Sequence, residues 1–243
     1  MMMPMKKDFL SVVIPAFNEQ ENIRRIRKEL IPVLKKMPLN YEIVIVDDGS
    51  TDNTYNEAFS IAKLYKNVRV VKHPRNMGLA EATRTGIKHM KGNIAVFLDS
   101  DFTFHPREIP KLYKKYRETG CDCVIGSHFG SKGSTEVLLH RLVLSRGVNT
   151  LYSSLLGKNI STISSIFRLY KSTEIKKLKL TSKGFDICAE ILVKMVKNKN
   201  HIEEVPVKLT TRIYGESKLN NRKEFVNHIK LLTKVASWKL RGK

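Results

Sequence analysis

Short apolar runs alternate along this 243-residue chain with longer segments in which apolar positions recur every three or four residues. Leu10–Ile14, Tyr41–Val46, Val68–Val71 and Asn93–Leu98 read as buried strands. Between them the pattern is helical. One helix runs to about Lys36, with Asn18 as its N-cap and Glu21 as the capping-box partner; two more run from about Asp52 to Tyr65 and from Leu79 to Met90. Strands alternating with helices predict parallel pairing in a doubly wound α/β sheet. Such sheets bind ligands beyond the carboxyl ends of their strands. That rule gathers Pro15–Glu19, Asp47–Asp48 and Asp99–Asp101 on one rim, although they lie far apart in sequence.

The second half continues the pattern. Pro106 suits the first turn of a helix reaching about Glu118, and Cys121–Gly126 reads as a fifth strand. Glu136–Leu156 is a long apolar-rich segment in which Arg141, Ser145 and Asn149, spaced four apart, share one helix face. Ser165–Tyr170 reads as a strand and Phe185–Lys197 as a helix. His201–Leu209 reads as a strand with Pro206 at an edge or bend. Thr211–Lys218 is a polar loop. The last helix, about Glu224–Arg241, has Phe225, Ile229, Leu232 and Ala236 at helical spacing, interleaved with lysines. It reads equally as an interfacial membrane helix and as a helix packed on its own domain. The expected division is therefore a domain over 1–220 and a basic amphipathic helix over 221–243.

Charge adds a partner class. The net charge is +21, and residues 121–243 supply +14 of it, from 23 basic and 9 acidic side chains. An anionic partner is implied: nucleic acid, anionic lipid or a phosphorylated substrate. No recognition-helix signature, zinc-finger spacing or interleaved aromatics support nucleic acid. The three cysteines, Cys121, Cys123 and Cys188, are odd in number and lack a C-x-x-C pair. That argues against a disulfide framework or zinc site and for a reducing, cytoplasmic compartment. The start of the chain has no apolar core of a signal peptide, and no run reaches ~18 apolar residues. The expectation is a protein that lies on the cytoplasmic face of a membrane.

Asp99-Ser100-Asp101 follows a buried strand and places two carboxylates one residue apart. Oxygen ligands of this kind suit a hard divalent ion that in turn binds a diphosphate. Taken alone, the triplet is better explained by ordinary turn chemistry. Its neighbours change that. Val12–Glu19, Val46–Ser50, Asn76–Gly78 and Asp99–Asp101 occur in the order found in family 2 glycosyltransferases of the GT-A fold, which the chain resembles. More narrowly it resembles the polyprenyl-phosphate hexose synthases. That match lies in Val124–Ser127, Arg141 with Ser145, Phe167-Arg168, Gly184-Phe185 with Glu190, Glu204–Pro206, and Arg212 with Gly215, Ser217 and Lys218.

The resemblance implies a mostly parallel central sheet flanked by helices and an inverting transfer of a hexosyl unit from GDP-mannose or a UDP-sugar to dolichyl or another polyprenyl phosphate. Pro15, Ala16, Phe17, Asn18, Glu19, Asp47, Asp48, Asp99, Ser100 and Asp101 would bind the sugar nucleotide. Asp99 and Asp101 would hold Mg²⁺ or Mn²⁺, and Thr103 could add a ligand. Arg141 and Ser145, with His128, would hold the acceptor phosphate, and Arg212 and Lys218 would close on the diphosphates during catalysis. Membrane association, with a separate membrane partner as an option, follows from the lipid acceptor. Two positions depart from the family pattern. His128 stands where the family usually has arginine, and Thr162–Arg168 lacks the acidic residue and the glycine of the usual run. Two rival readings differ in acceptor or class: a glycan or glycolipid hydroxyl acceptor, which needs a general base, and a non-catalytic polyanion binder, which needs only charge.

Overall fold

The computed structural model describes residues 7–128, 149–158, 160–215 and 221–240. Seven strands among them form one sheet: β1 (Phe9–Ala16), β2 (Asn40–Asp47), β3 (Val68–Lys72), β4 (Ile94–Phe97), β5 (Cys123–Ser127), β6 (Arg168–Lys171) and β7 (Ile202–Pro206). The order across the sheet is β3-β2-β1-β4-β6-β5-β7. The pairs among β3, β2, β1 and β4 are parallel, as is β5 with β7. β6 runs antiparallel to both β4 and β5. The sheet is thus mostly parallel, with one reversed strand that the apolar run Ser165–Tyr170 does not reveal. A buried strand's composition carries no sign of its direction.

Both faces of the sheet are covered, so its central strands are apolar throughout rather than alternating. Val12 and Ile14 of β1 face one core and Val13 faces the other. On the first face lie α1 (Gln20–Arg25), a π-helical stretch (Ile26–Leu30), α2 (Ile31–Lys35), α3 (Thr54–Leu64) and α5 (Ile109–Thr119). On the second lie α4 (Leu79–His89), a helix α6 over residues 149–156, α7 (Ser172–Lys176), α8 (Ile187–Lys197) and α9 (Asn221–Leu240). Pro32, which has no N–H to donate, sits at the start of α2, where the π-helical stretch rejoins α-helical register.

Two local expectations shift. The N-cap of α1 is Glu19, with no side-chain capping bond, and Glu21 pairs with Arg24. Asn18 instead adopts φ 53° and accepts a hydrogen bond from the Thr51 N–H at 2.8 Å. Its side chain is used between loops rather than within its own helix. In α9 the side chains that reach the core are Leu231 and Val235, packed with α8, while Ile229 is exposed and Leu232 and Ala236 are only half-buried. The side chain of Phe225 lies outside the described residues. Pro206 closes β7 at the edge of the sheet, where a missing N–H costs no ladder bond.

Candidate functional site

The carboxyl ends of β1, β2 and β4 open into a cavity of about 630 Å³. Pro15, Ala16, Phe17, Glu19, Asp48, Asp99, Ser100, Asp101, His128 and Arg212 all line it. The rim predicted from topology therefore exists and brings these segments to one place. Asn18, Asp47 and Thr103 do not line it. Asp47 is wholly buried; one oxygen accepts from the Ser50 N–H at 3.3 Å, and Oδ2 has no hydrogen-bond partner among the described residues. Thr103 contributes its backbone N–H to Asp101 Oδ1 at 2.9 Å. Gly49, just after the two aspartates, has φ 70°, and a Cβ there would stand 2.1 Å from the Arg75 carbonyl carbon. Only glycine allows the two rim loops to approach so closely.

One guanidinium meets the carboxylates directly. Arg212 donates from Nε to Asp101 Oδ2 at 2.8 Å, its Nη2 lies 2.7 Å from the same oxygen, and its Nη1 is 3.4 Å from Glu19 Oε1. Glu19 is held in turn by Asn22, whose Nδ2 donates to Oε2 at 2.6 Å, and its N–H donates to Thr54 Oγ1 at 2.7 Å. Arg25 supports the acidic turn from behind. It donates to the Asp101 carbonyl at 2.8 Å, its guanidinium lies 5.1 Å from the Phe102 ring centre, and it pairs with Glu29. Phe102 takes φ 54°, a strained conformation for a bulky residue, and Arg25 holds the carbonyl next to it. Sequence reading passed over Arg25 and Asn22. Their signal is two polar residues, three apart, among the buried positions of α1.

The lining holds four carboxylates, those of Glu19, Asp48, Asp99 and Asp101, against the single guanidinium of Arg212 among the described residues. This acidic cavity sits in a chain of net charge +21. Burial pushes the Asp99 carboxyl up to about 8; the neighbouring Asp101 adds to the rise, Arg212 opposes it, and Glu19 adds a little more. A carboxyl so starved of positive charge fits a cation. No cluster of three or more His, Cys, Asp or Glu among the described residues forms a metal site by itself. Two carboxylates do suit Mg²⁺ or Mn²⁺ when a bound diphosphate and water complete the ligand set.

Asp48 has a separate role. Its Oδ1 accepts from the Met77 N–H at 2.9 Å, and its Oδ2 from the Gly78 N–H at 2.8 Å, so it shapes the loop carrying Asn76 and Gly78 into the cavity wall.

The opposite wall comes from residues 162–166 and from His128. Arg168, fully buried, donates to the Ile163 carbonyl at 2.7 Å and the Cys188 carbonyl at 2.6 Å, tying this loop to α8. Glu204 accepts from the Ser161 N–H at 2.9 Å and its hydroxyl at 2.5 Å. Glu190 accepts from the N–H groups of Thr181 and Ser182 and pairs with Lys194. Burial alone would raise its pKa, but these donors outweigh it and bring the group down to about 2. Arg168, Glu190 and Glu204 thus build the wall rather than line it. Burial also lowers the His128 pKa, favouring the neutral imidazole, and the ring lies 6.4 Å from that of Phe104. Arg141, Ser145 and Lys218 lie outside the described residues.

The model of glycosyl transferase family 2 matches residues 11–178. The chain is 34% identical, over 231 residues, to a dolichol-phosphate mannosyltransferase of Pyrococcus furiosus, covering 93% of this chain and 64% of that protein. It is also 34% identical, over 212 residues, to an undecaprenyl-phosphate 4-deoxy-4-formamido-L-arabinose transferase of Edwardsiella ictaluri, covering 86% and 62%. The chain thus spans less than two thirds of the length of either relative. Among solved structures, glucosyl-3-phosphoglycerate synthase of Mycobacterium tuberculosis, crystallised with Mn²⁺, UDP and its product, superposes with a TM-score of 0.70 at 20% identity, covering 94% of this chain and 78% of that one. With a family model over most of its length, and the family's sequence blocks meeting in one cavity, the chain belongs to glycosyl transferase family 2.

Proposed function

We propose that this chain transfers a hexosyl unit, with inversion, from a sugar nucleotide to dolichyl or another polyprenyl phosphate. The observation that carries the reading is that, among the described residues, four carboxylates face one guanidinium in a cavity at the carboxyl end of the sheet. A doubly anionic diphosphate cannot enter such a site unaided, so the reading includes a divalent cation. Asp99 and Asp101 would hold Mg²⁺ or Mn²⁺, which neutralises the charge that develops on the departing nucleoside diphosphate. Both named relatives act on polyprenyl phosphates but carry different sugars, so the sugar here is left to experiment.

Each residue's part follows from its surroundings. Asp48 faces the cavity as an acceptor for a base N–H. Arg212 guards Asp101 and Glu19, and turns from them to the incoming phosphates when these arrive with their cation. An acceptor phosphate is anionic already and needs no general base, only cations that bring two like charges together. Arg141 is the cation proposed to hold the acceptor phosphate, with the Ser145 hydroxyl and neutral His128 beside it, and Lys218 is proposed to close with Arg212 on the diphosphates. The exposed Val226, Ile229 and Lys230 of α9 suit contact with an anionic membrane surface, peripheral and on the cytoplasmic side. No helix among the described residues is long and apolar enough to cross a membrane.

Incubating the protein with labelled GDP-mannose, UDP-glucose and UDP-N-acetylglucosamine in turn, with dolichyl phosphate and Mn²⁺, tests the reading. A labelled lipid product with one donor is expected. Turnover on a glycan or glycolipid hydroxyl, with no lipid-phosphate product from any donor, overturns the acceptor assignment.

A further inference from the structure

Behind Asp48 runs a polar chain, buried at His73 and half-buried at Thr85, that the proposed chemistry does not use. His73 follows β3, is 7% exposed, and is fixed at its backbone by an N–H donated to the Asp47 carbonyl at 2.8 Å. Its Nδ1 lies 2.7 Å from Asp48 Oδ1, and its Nε2 lies 2.9 Å from Thr85 Oγ1 on α4. An ionised carboxylate has no hydrogen to give, so Nδ1 carries the proton and donates it. In the uncharged ring Nε2 is then the acceptor, and the Thr85 hydroxyl donates.

The consequence falls on Asp48. Its Oδ1 takes two donors, His73 and the Met77 N–H, while Oδ2 takes only the Gly78 N–H. Three donors from the loop between β3 and α4 fix the plane of the carboxylate, and the less occupied Oδ2 keeps room for one more. Asp48 lines the cavity, whereas neither His73 nor Thr85 does. A side chain that touches no ligand, yet sets the orientation of one that faces it, acts through that neighbour.

We propose that His73, backed by Thr85, is a positioning residue for the donor base. It aims Asp48 at a base N–H and thereby selects uracil or guanine, which carry a ring N–H, over cytosine, which has a bare ring nitrogen at the corresponding place. The inference rests on the sugar-nucleotide reading above. It gives His73 a part in recognition that the family blocks do not assign to it.

The test is calorimetric binding of UDP, GDP and CDP in Mn²⁺ to the wild type and to His73→Leu, His73→Asn and Thr85→Val, with melting temperatures recorded. The wild type is expected to bind UDP or GDP at least ~10-fold tighter than CDP. His73→Leu should lose ~10- to 100-fold for the preferred nucleotide, as expected for a lost hydrogen bond to a charged group, and little for CDP. His73→Asn, which keeps an N–H near the Nδ1 position, should recover most of the loss, and Thr85→Val should lose a few-fold. A His73→Leu protein that binds all three as the wild type does overturns the inference. So does an equal loss for all three, which is what a merely structural role would give. Should His73→Leu not fold, a Thr85→Val protein with the wild type's affinity and selectivity overturns it equally. Wild-type protein that binds neither UDP nor GDP would instead bring down the donor reading, and the inference with it.

Discussion

At the amino end of the sheet, Glu42 is buried on β2 and fully supplied with donors. Its Oε1 accepts from the Ser11 hydroxyl and the Lys91 N–H, both at 2.6 Å, and its Oε2 from Arg69 at 2.8 Å. At the carboxyl end of the same sheet, Asp99 shares its surroundings with three other carboxylates and one arginine. Burial would raise the pKa of both groups. At Glu42 the donors outweigh burial and hold the carboxyl below its ordinary range; at Asp99 burial wins and Asp101 adds to it. The same residue chemistry thus yields a stabilising contact at one end and stored electrostatic cost at the other. A protein tolerates such cost where a ligand relieves it.

Exchanging the groups at each end should separate the two roles. Asp99→Asn and Asp101→Asn should each reduce transfer about 10³-fold, the scale seen when a group that stabilises developing charge is removed. The melting temperature of Asp99→Asn should hold or rise, because a carboxyl group crowded by other carboxylates is gone. Glu42→Ala should do the reverse: it should lower stability by about 2–3 kcal/mol in denaturant titration, since Ser11, Lys91 and Arg69 lose their common acceptor, and leave nucleotide affinity unchanged.

The pH dependence should diverge in the same way. Glu42 has a folded pKa below its ordinary 4.5, so its contribution is present above that value and is lost as pH falls through the folded pKa. Asp99 has a raised pKa, so its cost is absent below the ordinary 3.8 and grows as pH rises from there to about 8. A cation that relieves this cost should raise the melting temperature more at pH 8 than at pH 6, and Asp99→Asn should abolish that difference. A smaller effect is expected at Arg25. Arg25→Met should weaken Mn²⁺ binding in the presence of nucleotide a few-fold, because the turn at Asp101 and Phe102 loses the donor that holds it.

The parts of this contrast were unevenly legible in the sequence. Apolar runs located the seven strands, and the rule about strand ends placed Asp48, Asp99 and Asp101 together, because both depend on local pattern and on sheet topology. The reversed direction of β6 was not legible, since a run such as Ser165–Tyr170 is equally apolar either way. Arg25, His73 and Glu42 escaped notice because their partners lie 76, 25 and 31 residues away in the chain, so no local pattern joins them. In α9 apolar residues occupy adjacent positions, and only packing against α8 selects Leu231 and Val235 over Ile229. Asn18 satisfied a capping pattern, yet its side chain found a partner in the loop that begins at Gly49.

On the proposed reading, a divalent cation bound together with a nucleoside diphosphate completes the acidic cavity. Calorimetric titration of UDP and GDP into the protein, with Mn²⁺ and then with EDTA, tests it most directly. One of the two nucleotides should bind in Mn²⁺, EDTA should weaken this at least ~10-fold, and Asp99→Asn should remove the dependence on metal. Binding of equal strength in EDTA and in Mn²⁺ would contradict it.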